Sequence, residues 1–387
     1  GSGPATYAEA ASLWRSAPDK PIYLRIFDEA EQSLARALAE QPPRPGRIYL
    51  PLGTAGGRQR FGVNADGSVF CVNDRIDHPP GKDTPRRRWG GHRLTYRFDF
   101  PSTPEARWIE EECLPIIHTR WERDGVKYTQ TAFATRLDPG SLGFPDMQAD
   151  DTTVLMMRIS VENVSTEERP AAVVLGVYAD DKLLPLVERD GLIYARANGE
   201  DLLRGAYRIR TEANVSIEKG KIVWSGDLPV GESAHLVLKI PFITLDQPAE
   251  IERLRALTFE DEFDRVKSFW KTLVEASAQI HTPVPEINRF YRAHVSHLFI
   301  NCGREVGADR LAARVGSFSY GVYWNESCMM ITDLDRRGFH SEAEKCLETF
   351  LHYQGTVPLP GDYSSQEGVL NGANGWEAGG YNQHHGW

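Results

Sequence analysis

Several things are scarce in this sequence, and each scarcity removes a class of function. Cysteine is one: five residues, Cys71, Cys113, Cys302, Cys328 and Cys346, occur in 387. Their odd number and the lack of any C-x-x-C spacing argue against a disulfide framework and a structural zinc site, and point towards a reducing compartment such as the cytoplasm. Basic charge is also short. The chain has 44 Lys and Arg against 54 Asp and Glu, a formal net charge of -10. Nucleic acid is therefore not the expected partner, because phosphate binding needs a concentrated basic surface, and the local run Pro85-Arg86-Arg87-Arg88 does not change that. No stretch approaches the roughly 18 apolar residues of a membrane-spanning helix, so no membrane partner is expected.

Catalytic signatures are missing too. There is no G-x-S-x-G elbow, and Gly53-Thr54-Ala55-Gly56-Gly57 lacks the Lys-Ser/Thr of a phosphate loop, which leaves a turn after a strand beginning near Ile48. His384 and His385 are adjacent rather than four apart and no second cluster completes a metal site, so neither metal nor other cofactor is expected. What remains is the composition of a globular protein, 41% hydrophobic, 25% charged and 10% aromatic, with chain enough for two or three cores.

The hydrophobic period changes twice along the chain. Residues 1–45 form a mixed lead segment with a helix expected from Phe27 to Glu40, ended by Pro42-Pro43. From 46 to 250 the signal is β. Leu94 to Phe100 and Val154 to Val161 alternate, Ala172 to Tyr178 is nearly continuous and apolar, and His118 to Phe133 reads as a hairpin across Arg123-Asp124-Gly125. Ser216 to Trp224 repeats that form around Lys219-Gly220-Lys221. Many short strands with such turns predict a large antiparallel β-sandwich.

At Pro248 the period becomes helical. Thr258-x-x-Asp261 is a helix start, followed by Phe259, Phe263, Val266, Phe269, Trp270 and Leu273 on one stripe, which predicts a linker helix within 251–282 packed on the sandwich. Pro285 suits the first turn of another helix, to Asn301. Tyr323 to Arg337 and Ser341 to Gln354 predict an αα-hairpin, with Gly338 ending the first helix and Ser341-x-x-Glu344 as a capping box for the second. An aromatic and polar loop, Gly375 to Trp387, closes the sequence. It carries Trp376, Glu377, Tyr381, His384, His385 and Trp387, and such a loop suits recognition of a sugar.

The segment Tyr323-Trp324-Asn325-Glu326-Ser327-Cys328-Met329-Met330-Ile331-Thr332-Asp333-Leu334, with Arg337-Gly338-Phe339, Ala343, Leu347 and Tyr353-Gln354 after it, resembles the six-hairpin, (α/α)6-toroid glycosidase clan. That clan includes glucoamylase-like enzymes and sugar phosphorylases with an N-terminal β-sandwich. Tyr323 to Leu334 looks like the clan's Trp-Arg-Asp-Ser segment, with Asn325 and Glu326 in place of the Arg-Asp pair that grips the terminal sugar. The resemblance implies a multidomain β + α chain: β-sandwich, linker helix, then residues 283–387 as the αα-hairpins of an incomplete toroid. It also implies a carbohydrate substrate and a second polypeptide that completes the toroid and holds at least one catalytic carboxylate. Open flanks would then be offered by Phe290, Val295 and Leu298 on one helix and by Leu347 and Phe350 on another.

Glycosidic hydrolysis needs two carboxyl groups astride the bond. The candidates are Glu326, Asp333, Asp335, Asp362, Glu367 and Glu377. Asp333 and Asp335 stand beside Arg336 and Arg337 and read better as ion-pair partners. Glu326, in a helix first turn, is either functional or a dipole stabiliser, and Glu377 is either functional or an exposed loop acid. We take Glu377 and Glu326 as the catalytic candidates, with Tyr323, Trp324, Asn325, Trp376, Tyr381, His384, His385 and Trp387 as sugar-binding candidates. For Trp324 a place in the core is the competing reading. The expected function is a glycoside hydrolase; the alternatives are a glycoside phosphorylase of the same architecture and a non-catalytic carbohydrate-binding fragment. The sequons at Asn163, Asn214 and Asn325 carry little weight.

Overall fold

The computed structural model describes residues 6–16, 33–40, 48–72, 93–149, 151–197, 200–209, 215–245, 247–305, 307–318, 322–355, 364–365, 367–368 and 370. The chain divides into two units, Gly1–Pro45 and Gly46–Trp387. The first contains α1 (Tyr7–Ser16) and α2 (Leu34–Ala39). Thr6 and Glu9 cap α1 reciprocally: the Glu9 amide donates to Thr6 Oγ1 at 3.2 Å and the Thr6 amide to Glu9 Oε2 at 3.1 Å, so two otherwise orphaned donors are satisfied. Of the helix expected from Phe27 to Glu40, Leu34–Ala39 is helical, and residues 27–32 lie outside the described residues.

The second unit begins with strands. They are β1 (Tyr49–Leu52), β2 (Phe61–Asn64), β3 (Val69–Val72), β4 (Arg93–Phe98), β5 (Ala106–Glu110), β6 (Leu114–Arg123), β7 (Val126–Arg136), β8 (Thr153–Asn163), β9 (Arg169–Ala179), β10 (Lys182–Leu183), β11 (Leu186–Arg189), β12 (Leu192–Ala197), β13 (Glu200–Ile209), β14 (Val215–Glu218), β15 (Lys221–Leu228) and β16 (Ser233–Pro241). One sheet runs β1-β2-β3-β4-β9-β15-β14 with β10 on β9, and the other runs β11-β12-β13-β16-β8-β7-β6-β5. Every pairing in both sheets is antiparallel, and residues of both enter one hydrophobic core. Two hairpins turn where the sequence placed them. Asp124 and Gly125 take φ of 53° and 76° between the paired Arg123 and Val126, and Lys219 and Gly220 take 49° and 77° between Glu218 and Lys221. Positive φ at both central residues matches the twist of the flanking strands.

Burial along β7 alternates at first and then becomes continuous from Gln130 to Thr135. The cause is a helix over the outer face of the sheet. α3 (Pro248–Ala256) leads into α4 (Phe259–Ala276), whose Thr258 hydroxyl accepts the Asp261 amide at 3.3 Å as its N-cap. The apolar stripe Phe259, Val266, Trp270 and Val274 is buried, and each such side chain contributes about 1.5–3 kcal/mol. Phe133 of β7 meets Phe259 and Phe263 edge-on, with centroids 5.1 and 5.9 Å apart. On the same face Thr135 donates to Glu262, which also holds Arg265 at 2.5 Å.

The remaining elements are α5 (Pro285–Asn301), a hairpin of β17 (Cys302–Arg304) and β18 (Leu311–Ala313), α6 (Trp324–Arg336) and α7 (His340–Tyr353). Pro285 takes the first turn of α5 as expected. The capping box at Ser341 does not form. α7 begins at His340 with Phe339 as its N-cap and no side-chain cap bond. Gly338, at φ 92°, turns the chain so that Phe339 reaches the core and meets Phe299 edge-on at 4.8 Å; burial of the aromatic ring sets the helix start ahead of the Ser hydroxyl. Val295, Leu298 and Phe350, expected on open flanks, are buried, because α5 packs on α4, β1 and β6 while Phe350 packs on Trp324. Phe290 and Leu347 are exposed at 69% and 44%.

Candidate functional site

The four described candidates sit at the start of α6. Tyr323 is its N-cap residue and Trp324, Asn325 and Glu326 form its first turn. This turn is fixed by its neighbours. The fully buried Ser327 donates its hydroxyl to the Ala313 carbonyl of β18 at 2.7 Å, and the Trp324 ring stands edge-on to Phe350 of α7 at 4.7 Å. Trp324 thus works as a wedge between α6 and α7, half-buried against the core. Tyr323 and Glu326 are half-buried and Asn325 is exposed. A carboxylate in this first turn lies where the helix dipole favours negative charge. Glu377, Trp376, Tyr381, His384, His385 and Trp387, with Asp362 among the other acids, lie outside the described residues. Glu367 is described, lining a shallow cavity with Leu351, Gln354, Gly355 and Gly368 beyond the end of α7.

Asp333 and Asp335 are ion-pair partners. Asp333 Oδ1 accepts from Arg337 Nε at 3.0 Å and its Oδ2 faces His294 Nδ1 of α5 at 3.2 Å. Arg337 is 3% exposed; its Nη1 donates to the Tyr291 carbonyl at 2.8 Å and its guanidinium lies 3.7 Å over the Tyr291 ring. This cluster ties α6 to α5. Asp335 meets His340 Nδ1 at 2.6 Å at the surface.

The residues that sequence reading passed over lie in the segment after β1. Gly53 to Gly57, expected as a turn, is a buried loop docked on the end of α5. The Gly56 amide donates to the Phe299 carbonyl at 3.2 Å and the Gly56 carbonyl accepts the Arg304 amide at 2.8 Å. Close approach requires glycine here: a Cβ on Gly53 would stand 3.1 Å from Ile300 Cγ2, and one on Gly57 would stand 2.1 Å from Thr54 Oγ1. The loop carries Arg58 and Arg60 inward, 4% and 3% exposed, and both flank Gly303 of β17. Arg60 Nε donates to the Ile300 carbonyl at 2.6 Å, at the negative end of α5. Arg314, directly after β18, is 2% exposed. The Arg60 guanidinium and the aliphatic stem of Arg58 therefore meet β17, and Arg314 follows β18, the strand whose Ala313 carbonyl anchors α6. The available signal was the density of glycine before Arg58-Gln59-Arg60.

Below this hairpin Glu305 accepts from Arg310 Nε at 2.8 Å and from the Tyr353 hydroxyl. Burial, reinforced by that bond, raises the Tyr353 pKa. Asn163 is 1% exposed and gives its amide hydrogens to the Glu167 and Leu228 carbonyls, so its sequon is not offered to a glycan. Among the described residues no group of three or more His, Cys, Asp or Glu converges as metal ligands, and no helix is long and apolar enough to cross a membrane.

No family model matches the chain and no curated protein sequence matches it. Among solved structures it is similar to a GH92 family glycosyl hydrolase, with 12% identity, a TM-score of 0.26, and coverage of 72% of this chain and 43% of that one. It is also similar to a family GH92 α-mannosidase from Bacteroides thetaiotaomicron, with 10% identity, a TM-score of 0.30, and coverage of 88% and 50%. The same enzyme in complex with mannoimidazole gives 9% identity, a TM-score of 0.31, and coverage of 88% and 49%. The chain spans about half the length of the solved structures it matches.

Proposed function

We propose that this chain is part of a glycoside hydrolase in which the β-sandwich and α4 support the first hairpins of an (α/α)6 toroid, and in which the first turn of α6 forms part of a sugar subsite. The observation that carries this reading is the placement of Glu326. It is half-buried on a helix start held by Ser327 to β18 and by Trp324 to α7. A carboxylate on a helix start so held has its backbone fixed and can accept hydrogen bonds from vicinal hydroxyls. Tyr323 and Asn325 flank it. Glu377 is the proposed second carboxyl group, with Trp376, Tyr381, His384, His385 and Trp387 on the same loop as further sugar contacts.

The exposed apolar residues of the helices support the proposed partner. Phe290 of α5, Met329 of α6 and Leu351 of α7 are 69%, 67% and 67% exposed. Further hairpins, from a longer chain or a second polypeptide, would cover them and bring a catalytic carboxylate.

The test is hydrolysis of a panel of nitrophenyl glycosides by the completed enzyme. Glu326→Gln and Glu377→Gln are each expected to lower kcat by about 10²–10⁴ with the fold intact. Wild-type turnover in both variants would remove them from the chemistry. Release of sugar phosphate only when phosphate is present would move the assignment to a phosphorylase.

A further inference from the structure

α4 covers only part of the outer face of its sheet, and the open part beside it is built as a groove. The helix crosses the strands from β8 to β5: Arg158 Nη1 of β8 meets Glu260 Oε1 at 3.4 Å, and Lys267 Nζ meets Glu110 Oε1 of β5 at 2.5 Å. Asp264 falls between them on the same helical stripe. The helix is therefore a polar wall. The floor beside it is a row of side chains. Arg120 of β6 pairs in register with Thr129 of β7, Thr129 with Ser160 of β8, and Ser160 with His235 of β16, so the four stand side by side on the face that α4 occupies. All four are half-buried. With strands about 4.8 Å apart, the row is roughly 14 Å long.

Trp108 stands at the β5 end of this groove, 42% exposed. Its ring lies flat on the His118 imidazole, with centroids 5.0 Å and planes 11° apart. His118 is held on both sides: Nδ1 is 3.0 Å from Thr131 Oγ1, and Nε2 is 3.0 Å from Glu110 Oε2. β5 ends its sheet, so among the described residues no strand covers the other face of the indole. The result is a fixed, open aromatic platform. The charges around the row are paired. Arg120 Nε faces Glu105 Oε2 at 3.7 Å, and Lys127 and Glu162 form an ion pair along the far side. Such a surface has little pull on a polymer of either charge, while its side chains offer donors and acceptors to hydroxyl groups.

We propose that this groove binds a neutral carbohydrate chain, with one pyranose ring stacked on Trp108 and the next units lying over Arg120, Thr129 and Ser160. The C–H bonds on one face of a pyranose are slightly positive and meet the negative face of the indole. Its hydroxyl groups then bond to the row. The choice of a carbohydrate rests on the glycosidase reading above. The groove lies on the sandwich rather than on α6, so it holds substrate without taking part in bond cleavage.

The experiment is native affinity electrophoresis of the full chain in gels cast with soluble glucan, with soluble mannan, with polygalacturonate, or without polymer. A neutral polymer is expected to retard the chain. Trp108→Ala is expected to weaken that binding about tenfold or more. Trp108→Tyr should keep most of it, and Val230→Ala, at an exposed turn, should leave it unchanged. Equal mobility in the polymer-free gel shows that each variant is folded. Retardation of Trp108→Ala equal to that of the unsubstituted chain, no retardation by either neutral polymer, or retardation by polygalacturonate alone would overturn the proposal. Hydrolysis of nitrophenyl glycosides by the completed enzyme tests the glycosidase reading separately. Retardation that depends on Trp108, beside a completed enzyme that hydrolyses none of them, keeps the groove and removes that reading; hydrolysis without such retardation does the reverse.

Discussion

The sandwich and the helical region treat their apolar side chains differently. In the sandwich, exposed large apolar residues stand singly: Val164 and Val230, at 46% and 55%, in the turns between β8 and β9 and between β15 and β16, and Trp108 and Leu183, at 42% and 38%, in β5 and β10. In the helices they recur at helical spacing: Ile287 and Phe290 three apart on α5, and Leu347 and Leu351 four apart on α7, at 42%, 69%, 44% and 67% exposure. Scattered turn residues need no partner, whereas residues three or four apart on a helix form a continuous face. The sandwich closes its core with α4. The helices close one side, onto α4 and the β17–β18 hairpin, and leave apolar residues exposed on another.

The sharpest way to break this comparison is to truncate one aromatic residue on each side. Trp270→Ala removes a ring 1% exposed beneath α4 and is expected to cost about 3–5 kcal/mol. Phe290→Ala should cost less than about 0.5 kcal/mol. Urea unfolding of both variants reads the difference, and losses of equal size would show that the two regions are not built differently.

Acid should weaken the helical region more than the sandwich. Burial, and then the neighbouring His294, hold the His297 pKa down to about 4. An unfolded histidine binds its proton near 6.5, so between about 6.5 and 4 the unfolded chain takes up the proton first. Stability from this group is complete above about 6.5 and falls as pH falls, by at most about 3 kcal/mol. In the sandwich, burial also lowers the His118 pKa, but Glu110 at 3.0 Å opposes the shift. Denaturation midpoints at pH 7 and 4.5 should converge more for His297→Phe than for His118→Phe. The opposite order would reverse the assignment.

Polar contacts give a smaller contrast. Glu262→Gln disrupts the buried Thr135–Glu262–Arg265 cluster between β7 and α4 and should cost about 1–3 kcal/mol. Asp335→Asn removes a pair with His340 whose side chains are 59% and 74% exposed, and should change stability by less than about 0.5 kcal/mol. Thermal denaturation at pH 6 distinguishes them. The smallest expected effect on stability is that of Leu351→Ser, within about 0.5 kcal/mol. That variant should still lower dye binding to exposed apolar surface, and unchanged dye binding would mean that this face is already covered.

Much of the fold was legible because its signals are local. Asp124-Gly125 and Lys219-Gly220 supply positive φ, Thr258 caps α4 through its own hydroxyl, and Pro285 starts α5 with its φ already set. The start of α7 was misread because the Ser341 motif has a local competitor, the burial of Phe339 after Gly338. Of the candidate residues, Tyr323 to Glu326 stand at a helix start, as the segment Tyr323 to Leu334 implied, while the loop bearing Glu377 lies outside the described residues.

The sequence by itself determined where the backbone changes from a two-residue to a helical period, where it turns, and which stripe of α4 is apolar, since each depends on residues within a few positions of one another. Tertiary structure alone decided which distant groups meet: Arg60 on the Ile300 carbonyl, Thr135 on Glu262, and Ser327 on the Ala313 carbonyl. None of these partners is marked by spacing. A buried donor or charge must find an acceptor, and which one lies within reach is fixed only when sheets and helices have packed.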